Sequence, residues 1–287
     1  MRPAREVSRG KPLRARVGYV SDVTVPASLE RNVDAFWSFV SSGRRARVLP
    51  DGCMDFVFDL NTATAQLVGS MTRAELVAPP RGTRYFGVRF LPGVAAELVC
   101  ARACELTDLS VELSQLLSAP NRRLPELVAE AKSDRERATI LEGYLSAASA
   151  RLRREDPRVR AATALLAQTG GAMRVRELAL SAGVSERQLE RLFQERVGVR
   201  PKTFARVMRL QRAVTLLRSP SRGWSERARS QAELALEAGY ADEPHLLRDF
   251  RELAAATPSD IAREHHVGFV QDVAAKRQHA PDSGEEP

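Results

Sequence analysis

"VRELALSAGVSERQLERLF", Val175–Phe193, is written a second time in the chain as "QAELALEAGYADEPHLLRDF", Gln231–Phe250. Glu177-Leu178-Ala179-Leu180 returns as Glu233-Leu234-Ala235-Leu236, and Ala182-Gly183 as Ala238-Gly239, at an offset of 56. Phe193 returns as Phe250 and Pro201 as Pro258 at an offset of 57, so the second turn is one residue longer. Each copy predicts a short helix ending in Ala-Gly, a tight turn, and a second helix. Glycine suits the residue after the first helix because a left-handed backbone there carries no Cβ penalty. The small alanine lets the two helices approach closely. In the first copy Ser185 stands where an N-cap belongs, and Leu189, Leu192 and Phe193 follow the spacing of a core-facing stripe. The opposite face carries Arg187, Glu190, Arg191 and Gln194.

A solvated charged face explains one such helix, but not a tandem pair. Two copies point to paired helix-turn-helix units, in which the second helix turns its non-core face to the major groove. Arg187 and Arg191 lie one helical turn apart and can reach guanine O6/N7 or phosphate. Between the copies, "KTFARVMRLQRAVTLLRS" (Lys202–Ser219) sets Val207, Leu210, Val214 and Leu217 at spacings of 3, 4 and 3, the stripe of one continuous helix. A helix of about fifteen residues spans ~22 Å. With the bulk of each unit added, it seats two readers about one DNA turn apart, ~34 Å.

The repeat, the joining helix and the closing "FRELAAATPSDIARE" resemble the DNA-binding domain of the AraC/XylS transcriptional regulators, from about Pro157 to Glu264. Further upstream, "LPDGCMDFVF", "GVRFLPG" and "ELTDLSVELSQLL" resemble an uncharacterised sensor domain found on some of these regulators. The resemblance implies a C-terminal domain that binds double-stranded promoter DNA beside RNA polymerase. It also implies an N-terminal domain that binds a small-molecule effector, forms a homodimer, or both. Carried over by position, the base-facing residues are Arg187, Glu190 and Arg191 in the first unit and Glu243, Pro244, Leu247 and Arg248 in the second. Gln188, Gln194 and His245 complete the expected DNA-binding set.

The second set departs from the family's polar face. Pro244 is tolerated in a first helical turn, where its missing N–H would be unpaired anyway. Glu243 repels phosphate, and Leu247 offers only apolar contact, for example to a thymine methyl. Ala255 stands where the family has glycine. His245 either touches the DNA backbone or packs at the helix turn.

Upstream the pattern becomes mixed α+β. "ARVLPDGCMDFVFDL" (Ala46–Leu60) has a Pro-Asp-Gly turn feeding a β-rich run. "AQLVGSM" and "TRYFGVRFLPG" (Thr83–Gly93) are further short strands closed by Gly or Pro. Helical sequence follows Val94. Asp134–Arg153 is the longest amphipathic segment before the change of domain, with Ile140, Leu141, Tyr144, Leu145, Ala148 and Leu152 on one face. That stripe is either a dimer seam or cover for the domain's own core, and the family resemblance favours the seam. "REDPRVR" (Arg154–Arg160) breaks the pattern at Pro157.

The expected fold class is therefore an α+β N-terminal domain, a small β-barrel or sandwich plus helices, followed by an all-α DNA-binding domain. The expected domains are residues 1–156 for effector sensing and dimerisation, 157–266 for the tandem helix-turn-helix, and a 267–287 tail with the composition of disorder.

Of 287 residues 44% are hydrophobic, and the formal net charge is +8. The basic excess fits an anionic partner or a general arginine bias, since only Lys11, Lys132, Lys202 and Lys276 are lysines. It is denser in residues 158–266, which hold 19 Arg and Lys against 13 Asp and Glu. No stretch approaches the ~20 apolar residues of a membrane span. The N-terminus lacks an apolar core of signal-peptide length. Both point to a cytoplasmic protein.

Cys53, Cys100 and Cys104 are too few and odd in number for a secreted disulfide framework. Cys100 and Cys104 would share a face of one helix, so a metal or thiol redox sensor fused to the DNA-binding module is the alternative, alongside a small-molecule enzyme. Small buried hydrophobes are the commoner role for free cysteines. All four histidines lie beyond residue 157, so Asp51, Cys53 and Asp55 in "PDGCMD" have no histidine base in their domain. No enzyme activity, cofactor or metal is expected. Trp37 with Phe36 and Phe39, and Tyr85 with Phe86 and Phe90, read mainly as core, with an apolar effector pocket as the other use.

Overall fold

The computed structural model describes residues 23–148, 156–218 and 230–264. Among these, the N-terminal span forms β1 (Val33–Val40), β2 (Ala46–Val48), β3 (Met54–Asp59), β4 (Thr64–Val68), β5 (Glu75–Val77), β6 (Arg84–Phe90) and β7 (Ser110–Glu112). Five strands join antiparallel in the order β1-β6-β3-β4-β7, and β2 pairs with β5 as a separate ribbon. The ends of that order, β1 and β7, are not neighbours, so the sheet is open. Of the barrel or sandwich expected, the molecule forms a sheet faced by a short ribbon.

Period-two alternation gives the sheet two unlike faces. Phe56, Phe58, Leu67, Phe86, Val88 and Phe90 point one way and are fully buried. They meet the helices α1 (Ala95–Leu98), α2 (Leu113–Leu116), α3 (Leu124–Glu130) and α4 (Asp134–Ala147) through Leu98, Leu113, Val128 and Leu141. Burying each such side chain contributes about 1.5–3 kcal/mol, and Phe56 adds an edge contact to Phe90 with centroids 4.8 Å apart. The α4 stripe goes into this core: Leu141, Tyr144 and Leu145 are buried, with Ile140 and Ala148 packed against them. A surface already filled by its own domain is not available as a dimer seam, which corrects that expectation. Leu152 lies outside the described residues.

The C-terminal helices are α5 (Pro157–Gln168), α6 (Val175–Ser181), α7 (Glu186–Arg196), α8 (Pro201–Arg218), α9 (Gln231–Ala238), α10 (Glu243–Asp249) and α11 (Pro258–Arg263). Pro157 opens α5 under the Asp156 cap, whose carboxylate accepts from Arg158 N at 2.9 Å. The joining helix α8 has 18 residues, ~27 Å at 1.5 Å per residue. Its first half puts Phe204, Val207 and Met208 into a core with Leu178, Leu189 and Phe193. Its second half puts Leu210, Val214 and Leu217 into another with Leu234, Leu246, Phe250 and Ile261. One helix thus belongs to both cores.

Polar contacts reinforce that joint. Arg209 donates to Gly171 O at 2.7 Å and lies 5.6 Å over the Tyr240 ring, touching both units. Arg206 donates to the buried Asp249 carboxylate at 2.9 Å and also pairs with Glu252. The expected 267–287 tail lies outside the described residues.

Candidate nucleic-acid interface

The first candidate reading helix is α7. Ser185 Oγ accepts from Gln188 N at 3.2 Å, and Gln188 Oε1 accepts from Ser185 N at 3.0 Å. This reciprocal cap satisfies two backbone donors at the helix start. It also engages the Gln188 carbonyl oxygen, so only the side-chain NH2 of Gln188 remains for a base or phosphate. Leu189, Leu192 and Phe193 are buried, and Phe193 meets Phe204 edge-on at 6.0 Å. Arg187, Glu190 and Arg191 are exposed on the opposite side, with Gln194 half-buried. One rigid helix therefore brings the five expected residues together.

The second candidate reading helix, α10, differs. Asp242 caps it by accepting from His245 N at 2.8 Å, with Pro244 in the first turn. It has seven residues against eleven in α7, and a wide turn at Phe250–Ala254 follows. Pro244 and Arg248 are exposed, while Glu243, His245 and Leu247 are half-buried. The His245 ring stands edge-on to Tyr240 at 5.2 Å, so packing at the helix turn is one of its roles. The two turns share their geometry: Gly183 has φ +66° and Gly239 φ +88°, a region in which only glycine is free of strain. Ala255, where the resemblance expects glycine, is left-handed too, at φ +48°.

The N-terminal domain is docked on this assembly away from the reading faces. Ser70 Oγ donates to Val197 O at 2.5 Å and Thr107 Oγ1 to Gly198 O at 2.8 Å, just past the end of α7. Glu97 pairs with Arg196 there. Gln211 Nε2 of α8 donates to Pro50 O at 2.7 Å, and Gly52 lies so close to the Phe204 ring that a Cβ would overlap it.

The second unit is held by the ribbon. Arg47 on β2 pairs with Glu264 at 3.0 Å and donates to the carbonyls of Ala254 and Ala255 at 2.8 and 3.1 Å. Ala74 N donates to Leu253 O at 2.6 Å, and Leu49 joins the second unit's core.

Between ribbon and sheet lies a cavity of about 470 Å³. Trp37, Phe39, Asp55, Val57, Tyr85 and Arg89 line its sheet side, and Val48, Leu76 and Val77 its ribbon side. The register explains the lining, since Trp37 pairs with Gly87, Phe39 with Tyr85, and Asp55 with Arg89, and paired residues share a face. Buried Arg89 reaches Asp51 at 2.8 Å and both oxygens of Asp55 at 3.3 Å. Trp37 Nε1 donates to Asp55 Oδ1 at 2.9 Å, crossing Gly87, which leaves room for the indole. Burial pushes the Asp51 carboxyl above its ordinary value, with Arg89 opposing the shift and Asp55 adding to it. Burial disfavours the Arg89 charge, but Asp51 and Asp55 outweigh it and keep the guanidinium protonated.

The thiols do not form the predicted pair. α1 stops at Leu98, Cys100 is exposed with φ +55°, and Cys104 lies in a separate 3-10 turn, Ala103–Glu105. Cys53 is buried, and burial followed by the Asp51 charge pushes its thiol well up, away from the reactive thiolate. Among the described residues no group of three His, Cys, Asp or Glu could hold a metal. No described helix is long and apolar enough to cross a membrane. Arg47 of the docking contact and Arg89 of the cavity are the candidate site residues that sequence reading missed. The available signal was an arginine at an interior position of each of two short strands, Arg47 in "ARV" and Arg89 in "RYFGVRF".

Residues 178–264 match the family of a helix-turn-helix domain, and residues 23–112 match a domain of unknown function. Over 92 residues the chain is 35% identical to the HTH-type transcriptional regulator GbdR of Pseudomonas aeruginosa, covering 32% of this chain and 23% of that protein. The chain thus spans about a quarter of the length of that relative. A transcriptional regulator from Chromobacterium violaceum, described as an AraC-type DNA-binding domain-containing protein, is 29% identical, covering 37% of this chain and 89% of that one, with a TM-score of 0.32. An apo form of ToxT from Vibrio cholerae is 11% identical over 81% of this chain and 98% of its own, with a TM-score of 0.43.

Proposed function

We propose that the chain belongs to the AraC-type helix-turn-helix regulators and is a sequence-specific DNA-binding transcriptional regulator whose N-terminal domain carries the control. The observation that carries this reading is the pair of helix-turn-helix units built on one helix, α8, with Arg187, Glu190 and Arg191 exposed beside them. The working division is a sensing domain at 1–156, the DNA-binding domain at 157–266 and a tail at 267–287. Arg187, Arg191, Gln194 and the NH2 of Gln188 supply donors to base edges and phosphates, and Glu190 can accept from cytosine N4. Arg248 is the principal donor of the second set.

Control follows from the docking. The N-terminal domain grips the first unit through the Val197 and Gly198 carbonyls and the second through Arg47, so it sets the angle between the two readers. The ribbon carrying Arg47 is also one wall of the cavity, which makes the cavity the natural place for a small effector to act. Binding beside a promoter would bring RNA polymerase within reach, and a homodimer would use a surface other than the α4 stripe. The reading favours a regulator over an enzyme: Asp51 and Asp55 are both tied to the one guanidinium of Arg89 instead of being poised as a base.

Selection from a random duplex pool with the full-length chain tests the reading. It predicts an enriched bipartite site bound at least about 10³-fold tighter than random DNA, with affinity falling steeply as salt rises. Equal affinity for selected and random duplexes would overturn it.

A further inference from the structure

The cavity under the ribbon has a definite chemical bias. Its volume of about 470 Å³ lies within the range of small-molecule sites. Its sheet wall is aromatic, with Trp37 beside Phe39 and Tyr85, whose rings stack at 6.3 Å and 17°. Its floor holds two carboxylates, Asp51 and Asp55, against one guanidinium, Arg89, and a third carboxylate, Glu75, stands on the ribbon side. Arg89 already binds both aspartates, so an anionic ligand would meet carboxylates without a cation left to receive it.

A ligand cation meets the opposite situation. Excess carboxylate attracts it, the aromatic faces add cation–π attraction, and the apolar lining accepts its body. We propose that this cavity binds a small organic cation, a primary amine carried on an aromatic or similarly compact apolar body. The proposal rests on the reading of residues 1–156 as the sensing domain and assigns the ligand class of that site. The ammonium would lie at the Asp51–Asp55 floor and the apolar body against Trp37, Phe39 and Tyr85. Burial and the neighbouring Asp55 both hold the Asp51 carboxyl up, an unfavourable arrangement that an incoming positive charge relieves.

Trp37 supplies the reporter, because the chain has two tryptophans and Trp224→Phe leaves it alone. The full-length Trp224→Phe protein is titrated with 2-phenylethylamine, 2-phenylethanol and phenylacetate at neutral pH while Trp37 emission is followed. The amine should give a saturable change with a half-saturation about tenfold or more below that of the alcohol and the acid. Val57→Phe fills the cavity without altering its charges and should abolish saturation, with the unfolding midpoint confirming that the protein is folded. Asp55→Asn should raise the amine's half-saturation.

Several results would overturn the proposal. They are equal binding of amine and alcohol, tighter binding of phenylacetate, unchanged amine binding in Val57→Phe, or no saturation by any probe up to about 10 mM. DNA affinity of the same ligand-free samples is measured in parallel. Its loss would count against the regulator reading, whereas a flat amine titration with DNA binding intact counts against the ligand class alone.

Discussion

The two helix-turn-helix units start from one sequence template and end as different instruments. The first keeps an eleven-residue reading helix with a reciprocal Ser185–Gln188 cap and donors along its open face. The second shortens its helix to seven residues, places Pro244 and Leu247 among its reading positions, and passes into a wide turn at Phe250. It is also the unit that Arg47 and Ala74 tie to the ribbon. On the proposed reading the duplicated scaffold is divided: the first copy would present hydrogen-bond donors to DNA, and the second is tied to the ribbon through Arg47 and Ala74.

The largest test of this division is in the cores. Phe193→Ala removes a fully buried ring and should cost about 3–5 kcal/mol in denaturant melts. Phe250→Ala should cost as much in stability, but the drop in affinity of its folded fraction should be spread evenly over DNA sequences. If the folded fraction of Phe250→Ala loses sequence choice more than that of Phe193→Ala, the two roles are reversed.

Next comes base reading. Arg191→Ala should lose about 1–3 kcal/mol on the selected site and far less on random duplex. Arg248→Ala should lose the same modest amount on both. Equal losses on both duplexes for Arg191→Ala would reduce that residue to a phosphate contact.

Arg47→Ala removes a mostly buried guanidinium from Glu264 and two carbonyls. Because Glu264 is part-exposed and screened, the cost should stay near ~1–2 kcal/mol. Amide exchange should quicken at 253–261 and remain unchanged at 178–193. A uniform change across both units would show that the ribbon does not single out the second.

The smallest effect concerns Ala255, held at φ +48°. Ala255→Gly relieves the left-handed strain but loosens the unfolded chain, for a net gain of about 0.5 kcal/mol. Thermal melts showing a loss would mean that the methyl group contributes more by packing than it costs in strain.

What the sequence disclosed follows from the range of its signals. The repeat and the stripe Val207, Leu210, Val214 and Leu217 are local patterns, and all four stripe residues are buried in α8. The β3, β4 and β6 strands were legible from their β-rich runs and from the Gly and Pro turns that bound them. β1 was not read as a strand because its register shifts between Val33 and Ala35, which breaks the period of two. The three-residue strands β2 and β5 are too short to carry any period.

The cavity escaped for a different reason. Asp51, Asp55 and Arg89 meet only because antiparallel pairing sets β3 against β6, more than thirty residues on. The two thiols four residues apart implied a shared helix face, but the positive φ at Cys100 ended that geometry. On the DNA side, the sequence placed Gln188 among the readers without revealing that half of its amide serves the cap.

The most direct test of the divided scaffold is binding by the full-length chain to a library randomised at each half of the selected site in turn. Salt must be fixed, since phosphate contacts make affinity salt-dependent. The account predicts that randomising the half under Arg187 and Arg191 removes most of the discrimination, at about 1–3 kcal/mol for each bidentate pair that is broken. Randomising the half under Glu243, Pro244 and Leu247 should change affinity little. Greater stringency in that second half would contradict the account and make the first helix the anchor.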